Sequence, residues 1–249
     1  MTAEFYSDQV SSRNKIAPAA EVGRFLGEVA STLRFYAEIS PEGGHCSAAD
    51  LDYVQKWSDP ACLVAADSMA AVGRDLAECG RCGLEQGAVR RIIGAGPATA
   101  RLMFVSGWPD EAAGQDEGLF AGETGGLLGR MIKAMSLSTA EVYVTCAVKC
   151  RPSDGASPRP DQAGHCQSFL EREIALVSPD IICALGEFST RRLLSSAQSL
   201  ERLRGRFHNR DKAGQQPLIM PTWHPADILA RPDKKRPLWD DLRKIMAAL

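Results

Sequence analysis

The stretch VYVTCAVKCRP at residues 142–152 begins as an apolar run and ends in a cysteine, an arginine and a proline. A short run rich in β-branched and aromatic residues that stops at a turn signal is typical of a buried strand. We therefore predict a strand over 142–148. Three similar runs predict further strands at 101–106, 181–185 and 217–220.

Helical patterns lie between and after these strands, at residues 125–135, 162–177, 188–194 and 238–248. Short strands that alternate with helices imply a parallel sheet covered by helices on both faces. The predicted fold class is α/β, with three αβα layers and a central, mostly parallel four-stranded sheet. Because ligands of such sheets bind outside the carboxyl ends of the strands, the candidate site lies in loops 106–122, 149–161 and 221–231.

The first seventy or so residues have a different pattern. Apolar residues recur at helical spacing over 20–39, a Pro/Gly-rich break follows at 41–44, and a second helix is predicted over 61–78. We therefore predict a helical N-terminal extension over residues 1–77 and an α/β domain over residues 78–249.

The composition limits the function classes. Of 249 residues, 45% are hydrophobic, which is ample for a core, and a net charge of -2 argues against a basic coat over the whole surface. A local basic groove stays open, because basic residues cluster at 202–212 and 231–236. The chain opens without a secretory signal and has no apolar stretch of membrane-spanning length. We expect a cytoplasmic monomer with no membrane partner.

Four cysteines stand out by their spacing: Cys79 and Cys82 in CGRC, Cys150, and Cys166 after a short Pro-rich loop. Neighbouring loops can bring such points together, and four thiolates around one centre hold a 4Fe-4S cluster or a zinc ion. Alternatively, the close pair is a redox dithiol and the other two are packed in the core. Disulfides are the weaker option in a reducing compartment.

Several motifs, in order along the chain, resemble those of one family. VYVTCAVKCRP at 142–152 is similar to VYIxNVVKCRP, PDIICALG at 179–186 to PxxIVALG, LRGRFH at 203–208 to RGRWH, and PTWHPA at 221–226 to PTxHPA. The chain from about Glu78 onward therefore resembles the iron-sulfur uracil-DNA glycosylases, family 4 of that superfamily.

The resemblance implies a fold, a cofactor and a partner. It implies a uracil-DNA-glycosylase-like domain whose 4Fe-4S cluster is held by Cys79, Cys82, Cys150 and Cys166. It also implies DNA, damaged or single-stranded, as the partner, because the family cuts the bond between uracil and deoxyribose after the nucleotide is turned out of the duplex.

The same resemblance assigns roles to individual residues. Phe120, in FAG at 120–122, would stack on the base, and His224, in WHPA, would donate a hydrogen bond to a uracil carbonyl as negative charge grows on the base. Lys149 and Arg151, beside the cluster loop, and Arg231, in the second basic group, are the expected contacts to the DNA backbone; alternatively, Lys149 caps its strand.

Three base-pocket positions depart from the family pattern. The family's first motif reads GExPG, whereas this chain reads SGWPD at 106–110, so Gly107 stands where the water-placing acid belongs and Trp108 follows it. Cys146 aligns with the uracil-reading asparagine, and a thiol cannot replace the donor and acceptor of an amide. A displaced acid in the same loop is an alternative, from Asp110, Glu111, Asp116 or Glu117.

These departures leave three functions open. The first is a DNA repair protein that flips a damaged base and hydrolyses its glycosidic bond. The second is a catalytically inactive nucleic-acid-binding module that retains the iron-sulfur cluster. The third is a glycosylase for another lesion, with Trp108 and Cys146 reshaping base selection.

Overall fold

The computed structural model describes residues 67–84, 91–109, 122–151, 157–210 and 217–249. In chain order the described elements are α1 (Met69–Ala77), β1 (Leu102–Ser106), α2 (Gly122–Ala134), β2 (Val142–Cys146), α3 (Pro160–Val177), β3 (Ile181–Leu185), α4 (Gly186–Leu194), α5 (Leu200–Leu203), β4 (His208–Asn209), β5 (Leu218–Thr222), α6 (Pro225–Ala230), a 3-10 turn (Pro232–Lys234) and α7 (Lys235–Ala248).

One five-stranded sheet organises the domain, in the order β2-β1-β3-β5-β4. The four longer strands run parallel, while β4 pairs antiparallel with β5 at the edge. The predicted α/β class with a mostly parallel sheet is confirmed. The two-residue β4 was not predicted, because two residues are too short to show an alternating pattern.

Alternate residues of the central strands face opposite layers. Leu102 and Phe104 of β1 pack in one core cluster with apolar residues of α2, α6 and α7. Met103 and Val105 pack in a second cluster with residues of α3 and α4. This division follows from the two-residue repeat of a strand, and it confirms the three-layer arrangement.

A third core cluster joins α1, α3 and the chain after β2. Val72 and Leu76 of α1 pack with Val148 and with Phe169 of α3. On the surface of the same contact, the Arg172 guanidinium forms ion pairs with the carboxylates flanking and within α1. Of the four cysteines that the sequence singles out, two belong to this cluster and two pack against it.

Residues 67–249 form one compact unit. The helix predicted over 61–78 is described from Met69 to Ala77, where Ser68 caps its N-terminus by accepting a hydrogen bond from Ala71 N. The helix predicted over 20–39 lies outside the described residues, and the N-terminal extension stays a prediction. No helix in the described ranges is long and apolar enough to span a membrane.

Candidate base-binding pocket and cysteine cluster

A pocket of about 470 Å³ opens at the carboxyl ends of β1 and β5. The residues predicted for the site that line it are Gly107, Trp108, His224 and Arg231. They come from chain segments more than a hundred residues apart, which the parallel register brings to one sheet edge. The structure therefore brings together four of the predicted pocket and backbone-contact residues.

His224 is held at the junction between β5 and α6. It is the N-cap of α6, and its Nδ1 accepts a hydrogen bond from the Ala226 backbone N–H at 3.2 Å. Its Nε2 lies 3.0 Å from Ser106 Oγ. Since Nδ1 accepts, the neutral ring carries its hydrogen on Nε2, which donates to Ser106.

The surroundings keep this imidazole neutral. Burial lowers the pKa of His224, and the nearby Asp227 carboxylate opposes that shift. Gly186 packs against the ring's stem: a Cβ at this glycine would lie 3.2 Å from His224 Cβ, and the backbone has a φ of +86°. Glycine is therefore needed at 186 both for its conformation and for the close approach.

The place expected for the acid is occupied by aromatic packing. A Cβ on Gly107 would lie 3.3 Å from the Phe188 ring. Trp108 meets that ring edge-on, with a centroid distance of 5.1 Å and an interplanar angle of 87°. Trp108 is thus anchored in the pocket wall by Phe188, which the sequence did not single out.

Cys146 ends β2, directly beside Ser106 in the parallel register. Its side chain is buried, with 0% exposure, and the residue does not line the pocket. Ser106, one position before Gly107, is a polar residue that lines the pocket at this end of the sheet. Ser106 was missed because the family motif has glycine there.

Cations surround Trp223 at the pocket rim. The guanidinium of Arg231 lies 5.5 Å from the ring centroid and the ammonium of Lys234 lies 4.7 Å from it. The indole Nε1 is buried and has no hydrogen-bond partner among the described residues. The predicted DNA contact of Arg231 stays a prediction, and this placement at the rim is compatible with it.

The remaining predictions for this end of the sheet concern Phe120, the alternative acids and Arg151. Phe120 lies outside the described residues, as do Asp110, Glu111, Asp116 and Glu117. Arg151 is described and half-buried, and its contact with a phosphate stays a prediction.

Lys149 does not reach solvent. Its side chain is 0% exposed and forms an ion pair with Glu173, whose side chain is also 0% exposed. The Lys149 Nζ also donates to Thr145 Oγ1 at 2.6 Å. The other carboxylate oxygen of Glu173, Oε1, accepts from the Gly94 N–H at 2.8 Å. The predicted contact of Lys149 with the DNA backbone is therefore wrong in this structure: a fully buried ammonium cannot touch a phosphate.

The four predicted ligand cysteines share one buried region. Cys150 and Cys166 belong to the third core cluster, and Cys79 and Cys82 pack against it. All four are free thiols, with no disulfide between Cys79 and Cys82. The third cluster thus gathers the chain after α1, the chain after β2 and the first half of α3 around a set of soft sulfur donors.

The electrostatics of these thiols show their proximity. Burial, together with the neighbouring Cys166 and Cys82, raises the pKa of Cys150 to about 12. Burial also raises the pKa of Cys166, against a hydrogen bond of 3.3 Å from the Lys149 backbone N–H to its Sγ. Within the described ranges, no three Cys, His, Asp or Glu side chains converge tightly enough to hold a single metal ion.

Comparisons with known proteins agree with the motifs. The family model described as the uracil DNA glycosylase superfamily matches residues 93–243. The chain is similar to a type-4 uracil-DNA glycosylase of Saccharolobus solfataricus, with 32% identity over 74% of this chain and 87% of that protein. It is also similar to type-4 enzymes of Sulfurisphaera tokodaii, at 32% identity over 72% and 84%, and of Archaeoglobus fulgidus, at 28% over 72% and 92%. The chain belongs to the uracil-DNA glycosylase superfamily, in its type-4 family.

Proposed function

We propose that the protein binds DNA, accepts a flipped base in the pocket beside His224, and hydrolyses the N-glycosidic bond of that base. Uracil is the first candidate, since the relatives are named for it. The observation that carries the proposal is the neutral His224 ring, fixed with an N–H donor directed at the pocket lining.

The reaction needs a group that stabilises the departing base. As the bond between C1′ and the base nitrogen breaks, negative charge grows on the base carbonyl oxygens. A fixed N–H donor stabilises that charge more than it stabilises the neutral ground state, and loss of such a donor costs about 100- to 1,000-fold in rate. Helix capping fixes the ring, so little reorganisation is needed at the moment of reaction.

We further propose that a 4Fe-4S cluster is held by Cys79, Cys82, Cys150 and Cys166. The four sulfurs lie at one core cluster, with Cys150 and Cys166 inside it and Cys79 and Cys82 packed against it, and thiolates are the ligands that a 4Fe-4S cluster takes. When bound, the cluster would supply a structural clamp on three chain segments.

The proposed partner is damaged or single-stranded DNA, and the proposed setting is the reducing cytoplasm. Arg231 and Lys234 lie near the pocket mouth, where a backbone phosphate would follow a flipped nucleotide. We expect binding to weaken as salt rises, because phosphate contacts release counterions.

The test is single-turnover release of uracil, hypoxanthine or xanthine from single- and double-stranded DNA. His224→Ala should slow release about 100-fold or more. His165→Ala, which changes an exposed histidine on α3, is the matched control and should keep the wild-type rate.

The pocket departures favour a second function, a non-catalytic nucleic-acid-binding module. Gly107 offers no acid, and Cys146 is buried away from the pocket. Salt-sensitive strand binding with no abasic product from any of the three lesions would establish the module and reject the glycosylase.

A further inference from the structure

Ser106 is placed to act on the substrate. It is the last residue of β1, it is 1% exposed, and it lines the pocket. Its backbone carbonyl accepts from the Ala147 N–H at 2.8 Å, so the residue is fixed by its pairing with β2 and the chain that follows β2. Its hydroxyl is the group that His224 Nε2 contacts at 3.0 Å.

The direction of that hydrogen bond excludes one reading of the pair. A serine and a histidine at this distance resemble a nucleophile with its base. Here Nδ1 accepts from Ala226 N, so Nε2 already holds the ring hydrogen and cannot take the serine proton. Ser106 therefore accepts from His224 and is not activated as a nucleophile.

A serine that accepts one hydrogen bond still has a hydrogen to donate. No described residue accepts that hydrogen from Ser106, while the residue faces a pocket able to hold a base. We propose that Ser106 donates it to a carbonyl oxygen of the bound base, and that His224 acts through Ser106. The proposal rests on the proposed function and names the group that touches the leaving base.

The relay is favoured over direct donation by His224. Direct donation would break the bond to Ser106 and leave a buried hydroxyl without that partner, which is unfavourable. In the relay both bonds persist, and each strengthens the other as charge grows on the base oxygen. Ser106 is then the catalytic residue, and His224 is a positioning and polarising residue.

The chemistry balances without proton transfer along the relay. The bond between C1′ and the base nitrogen breaks, and its electron pair leaves with the base. A water oxygen bonds to C1′ and releases one proton to solvent, while the base anion gains a proton from solvent. Ser106 and His224 keep their own hydrogens and only donate hydrogen bonds.

A double-mutant cycle tests the relay. Ser106→Ala and His224→Ala should each slow single-turnover release about 100-fold, and the double variant should be within about 3-fold of the slower single variant, because both changes break one chain. Two independent contacts would instead multiply to about 10,000-fold. A multiplicative result overturns the relay.

Two further variants separate hydrogen bonding from packing. Ser106→Cys keeps the volume but offers a weak donor, so it should remain slow; wild-type release from this variant overturns the proposal. Ser189→Ala removes another buried hydroxyl, one that donates to the Leu185 carbonyl outside the pocket, and should keep the wild-type rate.

A binding measurement separates failure of the relay from failure of the proposed function. The readout is the ratio of Kd for a strand with an abasic analogue to Kd for the same strand with uracil. Equal losses of this ratio in Ser106→Ala and His224→Ala support the relay even where turnover is slow. If Ser106→Ala keeps the wild-type rate of release or the wild-type ratio of Kd values, the relay alone is overturned. If the wild-type protein shows neither base release nor a preference for uracil, both proposals are overturned.

Discussion

The cysteine cluster and the base pocket are two regions of one domain, and they differ in how far they keep the family's residues. The cysteine cluster, which we define as Cys79, Cys82, Cys150 and Cys166, contains every predicted ligand, two of them buried in the third core cluster and two packed against it. The pocket retains His224, but Gly107, Trp108 and Cys146 are different residue types from those that the family's motifs have at these positions. Compared with the family's motifs, the pocket therefore departs at three positions and the cysteine set at none.

Physical chemistry explains why these regions can diverge separately. The third core cluster packs α1, α3 and the chain after β2 together, and the proposed metal centre would add its binding free energy to the stability of the fold. The pocket residues contribute chemistry and little stability, so they can change while the fold persists. The predictions below test that division.

The largest effect is expected from breaking the cysteine cluster. Cys150→Ser should remove most bound iron and visible absorbance, and the protein should lose its cooperative thermal transition, because a structural metal centre contributes about 10 kcal/mol or more to folding. Iron analysis of anaerobically purified protein, with a thermal melt, measures both. About four irons per chain are expected in the wild type.

Cys183→Ala is the matched control for that experiment. Cys183 is fully buried on β3 and lies in a different core cluster. Its loss should lower the melting temperature modestly and leave the iron content unchanged. Full iron content in Cys150→Ser, or one zinc per wild-type chain, would contradict the cluster proposal.

The next largest effect concerns the buried ion pair on α3. Glu173→Gln keeps acceptor and donor atoms near Thr145 and Gly94 but leaves the Lys149 charge unpaired, so we expect a loss of roughly 3 kcal/mol in the free energy of unfolding. Urea titration measures it. Adding Lys149→Met should recover most of the loss, because the double variant buries no net charge.

Glu171→Gln on the same helix gives the comparison. Its carboxylate pairs with Arg210 at the surface and is 40% exposed, so its removal should cost under about 1 kcal/mol. Equal losses from Glu171→Gln and Glu173→Gln would show that the buried pair has no special weight.

A smaller effect is expected from restoring the missing acid in the pocket. Gly107→Glu should raise uracil release by about 100-fold, the low end of what a water-placing acid contributes. The gain requires a small shift of the Phe188 ring, since a Cβ would lie 3.3 Å from it. Gly107→Ala makes the same packing demand without the carboxylate and should give no gain; equal rates would place the deficit elsewhere.

The sequence predicted the fold well because strands and helices leave patterns of apolar residues that can be recognised along the chain. The four parallel strands follow from short unbroken apolar runs, and the long helices α3 and α7 follow from apolar residues at 3.6-residue spacing. Lys149 was expected at the DNA backbone because it directly precedes Cys150 and Arg151, where the resemblance places a loop beside the DNA. The signal against this was Glu173, a carboxylate on the apolar stripe that Phe169, Leu170 and Val177 mark on α3.

The Ser106–His224 contact was not predictable from the sequence. The two residues are 118 positions apart, and their contact depends on the register of β1, β3 and β5 and on the tight turn at Gly186. The helix-capping role of His224 was open to prediction from the Pro–Ala–Asp that follows it, since an N-cap with proline at N1 and an acid at N3 is a helix start signal.

The smallest expected effect is the pH dependence of the pocket. Burial lowers the His224 pKa below its ordinary 6.5, so base release should decline on the acid side with a midpoint below 6.5. Protonation adds a hydrogen to Nδ1, which can then no longer accept from Ala226 N. Below 6.5 the unfolded chain binds this proton before the folded protein does, so the free energy of unfolding should also decrease as pH falls towards the lowered pKa.

Replacing Asp227 tests the pH prediction, because it should shift the His224 pKa in a known direction. Its charge is the influence that raises the His224 pKa against burial, so Asp227→Asn should move the acid midpoint further down. The side-chain oxygen of asparagine can still accept a hydrogen bond from the backbone N–H of His224, so the cap at the start of α6 is kept. His224→Gln should remove the acid limb from the profile of its residual activity. A midpoint that rises in Asp227→Asn, or an acid limb that survives in His224→Gln, would assign the titration to another group.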